Sequence, residues 1–324
     1  MSGSIPLVSV LLPTFNSARY LTEAVNSILH QTFSDLELII LDGGSSDGTI
    51  EIAQILVKFD KRIRVEIFPS MRPAARSDQV LPTLRSKYVA VQHSDDISYA
   101  HRIARQVQAF ADDPSLGVCS SIYRSFWHDR TRAPIHSGEW VHAKPERHEE
   151  IKANLLFWWV MHCPTLMFDR EKAADAGLRF TNEFRFGDDY WQTVLNINKL
   201  KFYNVQEELS AYRLHFEGDG AQNKLALHEE ERKLKQHILG YFGFEYTPRE
   251  LEIHVACKIF PDDIVGAESK EDFRELFAWL EKLRAQNMDI RAFDTAIFNS
   301  LLDTIKKRVT LIKRKKLLWK PFVD

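Results

Sequence analysis

Between Leu7 and Tyr123 the sequence switches repeatedly between two hydrophobic periods. Apolar runs of strand length occur at "LVSVLL" (Leu7 to Leu12), at Leu36 to Leu41, at "RVEIF" (Arg64 to Phe68), at "YVAVQ" (Tyr88 to Gln92) and at Val118 to Tyr123. Segments of helical spacing separate most of them. Ala18 to Thr32 places Leu21, Val25, Ile28 and Leu29 on one face, with Asn16 and Ser17 as candidate N-caps. A second helix from about Thr49 is expected to turn Ile52, Ile55, Leu56 and Phe59 inward, and a third covers about Ala100 to Phe110. Strands alternating with helices of this length imply right-handed crossovers, and so an α/β fold with a mostly parallel sheet covered on both faces. Ligands of such sheets bind at the carboxyl ends of the strands.

Two polar clusters fall at those ends. "DGGSSDGT" follows the strand closing at Leu41, and "HSDDIS" follows the one closing near Gln92. Asp42 can accept hydrogen bonds from a pyrimidine imide or a ribose hydroxyl. Asp95 and Asp96 offer hard oxygen ligands to Mg²⁺ or Mn²⁺, an ion that with so few protein ligands would complete its shell with phosphates. The alternative for each cluster is a loop of turn-forming residues chosen for backbone tolerance.

Composition narrows the function. At 324 residues, with 44% of them hydrophobic, the chain can bury a large core and suits one large domain with appendages, or two domains. Its net charge of -2 argues against a protein that coats nucleic acid. Cys119, Cys163 and Cys257 are too few and too scattered for a disulfide framework or a zinc site, which fits a reducing, cytoplasmic setting. The run "LLFWWVM" (Leu155 to Met161) is far shorter than the roughly 20 residues that span a bilayer. From about Lys224 the pattern changes to long amphipathic helices. One has Ser269 and Asp272 as a capping box ahead of Phe273, Leu276, Phe277, Leu280 and Leu283; another, from about Ile290, ends in the basic "TIKKRVTLIKRKKLLWKPF". That tail reads either as a solvated helix end or as a peripheral anchor on the anionic inner face of a membrane.

Taken together, "VSVLLPTFNSARYLTEAVNSILHQTFSDLELIILDGGSSDGT", "SKYVAVQHSDDIS", "HCPTLMFDREKAADAGLRF", "FRFGDDYWQTVLNI" and "YRLH" resemble the family 2 glycosyltransferases, over about Leu7 to His215. The resemblance implies an inverting enzyme of the GT-A fold, a Rossmann-like α/β sheet, in residues 1–223, with a C-terminal helical region in 224–324. It implies a nucleotide-sugar donor, most simply a UDP-sugar, and a glycan or glycolipid acceptor in cell-surface polysaccharide assembly. Pro13, Thr14 and Phe15 match the loop that receives the base, and Asp42 matches the carboxylate that binds uracil or ribose. Asp95 matches the last acid of the metal-binding Asp-any-Asp triplet, with Asp96 as its acidic neighbour. Asp188 and Asp189 match the paired acids whose second member is the catalytic base. Arg213 and His215 match a motif placed near the diphosphate, where His215 has either a metal or phosphate contact or a structural role. Arg76 lies where relatives hold an arginine that touches the nucleotide. Trp158 and Trp159 fall where the family lines its acceptor pocket, although core packing is the commoner fate of such a run.

The pattern departs from the family at two positions. Gly43 stands where many relatives carry a second Asp, and His93 takes the first place of the metal triplet. Imidazole is a poor ligand for Mg²⁺, so Mn²⁺ is the favoured ion. The lack of a "QxxRW" motif argues against a processive synthase. His93 also keeps a rival open, a degenerate module that binds sugar nucleotides or glycans without turnover. The stretch His128 to Trp140 is expected to be a polar loop or hairpin.

Overall fold

The computed structural model describes residues 5–128, 140–181, 183–185, 187–215, 224–257 and 270–318, except for the side chains of 140, 224–225, 270–272 and 312–318. The interior of the expected hairpin and the Ser269 cap lie outside the described residues. The chain divides into two compact units, Met1–His148 with Val160–Lys224, and Glu149–Trp159 with Leu225–Asp324.

The first unit is built on a nine-stranded sheet. Its strands are β1 (Val8–Thr14), β2 (Leu36–Asp42), β3 (Ile63–Ile67), β4 (Tyr88–Val91), β5 (Ile97–Ser98), β6 (Leu116–Trp127), β7 (Trp140–His142), β8 (Met167–Asp169) and β9 (Lys201–Leu214). They run in the order β3-β2-β1-β4-β8-β6-β9-β5, with β7 on β6. The β3-β2-β1-β4 half is parallel, while β8 enters antiparallel to both β4 and β6. β1 and β2 are almost wholly buried, as continuous apolar runs in a sheet covered on both faces must be. Helices α1 (Leu21–Leu29), α2 (Thr49–Phe59), α3 (Pro73–Val80), α4 (Arg102–Asp112), α6 (Arg170–Ala176) and α7 (Asp188–Asn196) connect these strands. α5 (His148–Asn154) runs across the division between the units.

Two details differ from expectation. α2 buries Thr49 and Ala53, with Ile52 and Leu56 partly covered, whereas Ile55 and Phe59 are exposed. The small Ala53 gives the helix its contact with the core, and the two larger residues fall on the next stripe of its surface. Nor do Asn16 and Ser17 cap α1, which begins at Leu21 after Tyr20 without a side-chain cap. Asn16 has φ 50° and its Oδ1 accepts from Ser46 N–H, while Ser17 Oγ lies 2.8 Å from Ser94 Oγ. Both side chains therefore tie loops together.

The second unit is helical, with α8 (Lys224–Phe242), α9 (Pro248–Ala256), α10 (Lys270–Ile290) and α11 (Thr295–Leu318) in addition to most of α5. Phe273, Leu276, Trp279, Leu280 and Leu283 form the buried stripe of α10. Trp279 Nε1–H donates to His254 Nδ1, whose Nε2 pairs with Leu156 O at 2.9 Å. This fixes a neutral imidazole, and burial pushes its pKa down to about 3. Lys235 Nζ donates to Phe157 O. Trp158 and Trp159 belong to this unit and are both partly buried, Trp158 lying 5.4 Å from the Phe157 ring.

Candidate active site

Thr14 and Asp42 are register partners at the ends of β1 and β2, so the two following loops leave the sheet side by side. Asp42 is fully buried and holds its own loop. Its Oδ1 accepts from Gly44 N–H and Ser45 N–H at 2.8 Å, and its Oδ2 from Ser45 Oγ at 2.6 Å. Gly44 takes φ 86°, a left-handed conformation that suits glycine. Asp47 binds across to Ala18 N–H and closes on Thr49 N–H and Oγ1. Burial alone would raise the Asp47 carboxyl, but these bonds outweigh it and hold it below its ordinary value. Pro13 and Thr14 end β1, and the Phe15 ring beside them is 57% exposed.

Under this loop lies Arg76, only 1% exposed, with Nη1 donating to Thr14 O at 2.5 Å and Leu41 O at 2.6 Å. Burial lowers its pKa to about 10, with the Asp42 charge opposing. A Cβ on Gly43 would stand 3.0 Å from Arg76 Nη1 and 3.2 Å from the Phe15 ring. The glycine found in place of a second Asp is thus the residue that leaves room for the guanidinium.

The loop after β4 carries the metal-ligating candidates. One ligand atom from each of His93, Asp95 and Asp96 comes within 4.8 Å of the others. Asp96 is buried, its Oδ1 accepts from Arg213 N–H at 2.8 Å, and its Oδ2 has no hydrogen bond, although His93 Nδ1 lies 3.5 Å away. An orphaned buried carboxylate oxygen beside an imidazole and a second carboxylate is a donor set that fits a divalent cation. His215 Nε2 sits 3.0 Å from Asp95 Oδ2, at the edge of this trio. Burial alone would raise the Asp95 carboxyl, but the His215 bond and the His93 charge hold it low, whereas burial pushes Asp96 up. Arg213 ties the loop in place through Nε to Asp95 O at 2.7 Å and Nη2 to Glu23 at 2.5 Å.

The paired acids open α7 behind Gly187, at φ 101°. They are not equivalent. Asp188 accepts from Thr181 N–H and Oγ1, at 2.8 and 2.5 Å, and so holds the chain ahead of the helix. Asp189 Oδ1 accepts from Tyr190 N–H at 2.8 Å. The Cys163 thiol lies within electrostatic reach of both Asp189 and the His93 ring, and the His93 charge acts on Asp189 as well, so the metal-ligating candidates and the acid are neighbours. Burial raises the Asp189 carboxyl, against the Tyr190 bond, the Cys163 thiol and the His93 charge. Cys163 is absent from the sequence-based candidates, because a lone cysteine has no spacing signature; its place directly after a buried histidine in "HCPT" was the one clue.

A family model, Glycosyl transferase family 2, matches residues 9–176. The putative teichuronic acid biosynthesis glycosyltransferase TuaG of Bacillus subtilis (strain 168) is 31% identical over 219 residues, 66% of this chain and 81% of the relative. Among solved structures, S. aureus TarS 1-349 in complex with UDP-GlcNAc superposes with TM-score 0.57 at 17% identity, covering 93% of this chain and 87% of that one. The mannosyltransferase PcManGT from Pyrobaculum calidifontis, in complex with GDP-Man and Mn²⁺, gives TM-score 0.53 at 16% identity, covering 98% and 88%. At those identities the two structures speak for the fold, a GT-A arrangement of sheet and helices. The family match spans more than half of the chain, so the chain belongs to the family 2 glycosyltransferases.

Proposed function

We propose that the protein is a non-processive, inverting transferase that moves a sugar from a UDP-sugar onto a hydroxyl of a glycan or glycolipid in cell-surface polysaccharide assembly. The observation that carries this reading is that Asp189 lies within electrostatic reach of His93, one of the His93, Asp95 and Asp96 group, with the Cys163 thiol beside both. It puts a cation-binding group and a base of raised proton affinity in one site, as displacement of a nucleoside diphosphate by a hydroxyl requires. The UDP-GlcNAc and Mn²⁺ named with the two solved relatives, and the teichuronic acid named with TuaG, support the donor, ion and polymer classes.

In this mechanism Pro13, Thr14 and Phe15 receive the base. Asp42 accepts from the uracil imide or a ribose hydroxyl, the ligand displacing the Ser45 hydroxyl. Arg76 braces the ends of β1 and β2 beneath the nucleotide. Asp95, with His93 and Asp96, holds the divalent ion, and His215 orients Asp95. A divalent cation held there supplies a Lewis acid to the departing diphosphate, and the imidazole favours Mn²⁺ over Mg²⁺. Asp189 takes the proton of the acceptor hydroxyl as its oxygen bonds the anomeric carbon and the bond to diphosphate breaks. Attack from the face opposite the leaving group inverts that centre. Trp158 and Trp159 are candidates for acceptor contact, and the basic tail is a candidate for peripheral contact with a membrane.

A screen of UDP-, GDP- and dTDP-sugars by thermal unfolding, with Mn²⁺ and with chelator, tests the reading. A ligand at 100 times its Kd stabilises by about 2.7 kcal/mol. The expected outcome is a rise in melting temperature with a UDP-sugar and Mn²⁺ that is lost in chelator and in Asp95→Ala. The same rise in chelator would remove the metal assignment.

A further inference from the structure

Beside the proposed donor site stands a column of rings that the mechanism does not use. Tyr123 on β6 is stacked between His142 of β7, at 4.3 Å and 12°, and His162, at 3.6 Å and 7°. Tyr212 of β9 meets the His162 ring edge-on at 5.6 Å. His162 immediately precedes Cys163, whose thiol is within electrostatic reach of Asp189, so the column begins next to the proposed base. Burial and then the charge of Asp96 push the Tyr123 phenol up, and the same pair raises Tyr212, which places both within electrostatic reach of the metal-ligating candidates.

Two groups in this column lack the partners their chemistry demands. His162 is only 6% exposed, yet its Nε2 has no hydrogen-bond partner. Lys144 is partly buried with its Nζ 5.2 Å over the Tyr123 ring, and among the described residues no carboxylate pairs with it. Burial lowers the Lys144 pKa to about 8. A cation drawn out of water without a counter-ion is unfavourable unless a ligand supplies the charge. Other lysines of the chain find acids, as Lys201 does with Asp113, Lys282 with Glu250 and Lys306 with Glu281.

We infer that Lys144 and the His142–Tyr123–His162 column form an acceptor subsite that recognises an oxyanion, a carboxylate or a phosphate carried by the sugar that receives the transfer. The inference rests on the transferase reading. In it, Lys144 pairs with the oxyanion, His162 Nε2 gains a partner, and the ring edges pack against the sugar.

Binding of 4-nitrophenyl β-glucuronide, 4-nitrophenyl β-glucoside and glucose 6-phosphate, measured by ligand-observed NMR with UDP and Mn²⁺ present, tests the subsite. The two acidic probes are expected to bind at least tenfold more tightly than the glucoside, the stronger one naming the anion. Lys144→Met, which keeps the apolar stem, should bring all three within about twofold, and Lys144→Arg should restore the preference. Equal binding of acidic and neutral probes to the parent, or an undiminished preference in Lys144→Met, would overturn the inference. The melting shift produced by UDP, read on the same samples, reports on the donor site alone. A missing UDP shift therefore counts against the transferase reading, and a missing acid preference against the subsite.

Discussion

Asp188 and Asp189 show how neighbouring residues of one type divide their work by environment. Asp188 has two bonds to Thr181 and stabilises a turn, while Asp189 accepts from Tyr190 N–H and lies near the Cys163 thiol and the His93 charge. Asn in place of Asp189 keeps an acceptor for Tyr190 N–H but cannot take a proton. Turnover of Asp189→Asn should fall by roughly 10²- to 10⁴-fold, with UDP-sugar affinity retained, as measured by product release and by thermal shift. The acid limb offers a second check. Because burial raises the folded-state pKa of Asp189, the carboxylate is protonated, and the base lost, at a pH above the ordinary aspartate value near ~3.9. Activity should therefore decline with falling pH already above that value. Stability should move the opposite way, since the folded state holds this proton more tightly than the unfolded chain, and Asp189→Asn should melt no lower than the parent at neutral pH. Near-normal turnover in that variant would remove Asp189 from the role of base.

At the scale of elements, the ends of β1 and β2 are held by one buried guanidinium, and a side chain at position 43 would crowd it. Gly43→Ala should force Arg76 off Thr14 O or Leu41 O, costing about 1–3 kcal/mol as overpacking does. Equal denaturation midpoints for the variant and the parent would show that the guanidinium has room to give. The parallel half of the sheet was legible in the sequence, because β1, β2 and β4 are buried on both faces and read as unbroken apolar runs. β5 and β8 were not, since strands of two and three residues carry no measurable period. The inward face of α2 was misjudged by favouring bulk, with Ile55 and Phe59 preferred over the smaller Ala53 that makes the contact. Of the candidate site, Asp42, Asp95 and Asp96 were legible from their places after strands, whereas Asp188 and Asp189, which open a helix, were legible only through the family resemblance. Cys163, Lys144 and the ring column were not, because their meaning depends on partners distant in sequence that no local pattern announces.

At the scale of the whole molecule, a chain of net charge -2 gathers eight of its 43 Lys and Arg residues into one terminal stretch between Lys306 and Lys320. Among the described residues no helix is long and apolar enough to cross a membrane. α11 continues through that stretch to Leu318, and Lys306 near its middle already pairs with Glu281 at 3.2 Å. Lipid contact, if the tail makes it, therefore falls to the basic residues beyond Lys306. The protein is expected to sediment with phosphatidylglycerol vesicles at low salt and to be released as salt rises, since such attraction is screened within about 10 Å at 0.1 M. Binding that ignores salt, or none, would leave the tail as a solvated helix end. The bonds from Arg213 to Asp95 and Asp96 have their own consequence for how the protein is made. They join positions 118 and 117 residues apart, and Asp189 lies between them in the chain. A ribosome therefore delivers the loops after β1 and β2 long before the strand that anchors the acids after β4, and those acids are braced only when most of the first unit has been made.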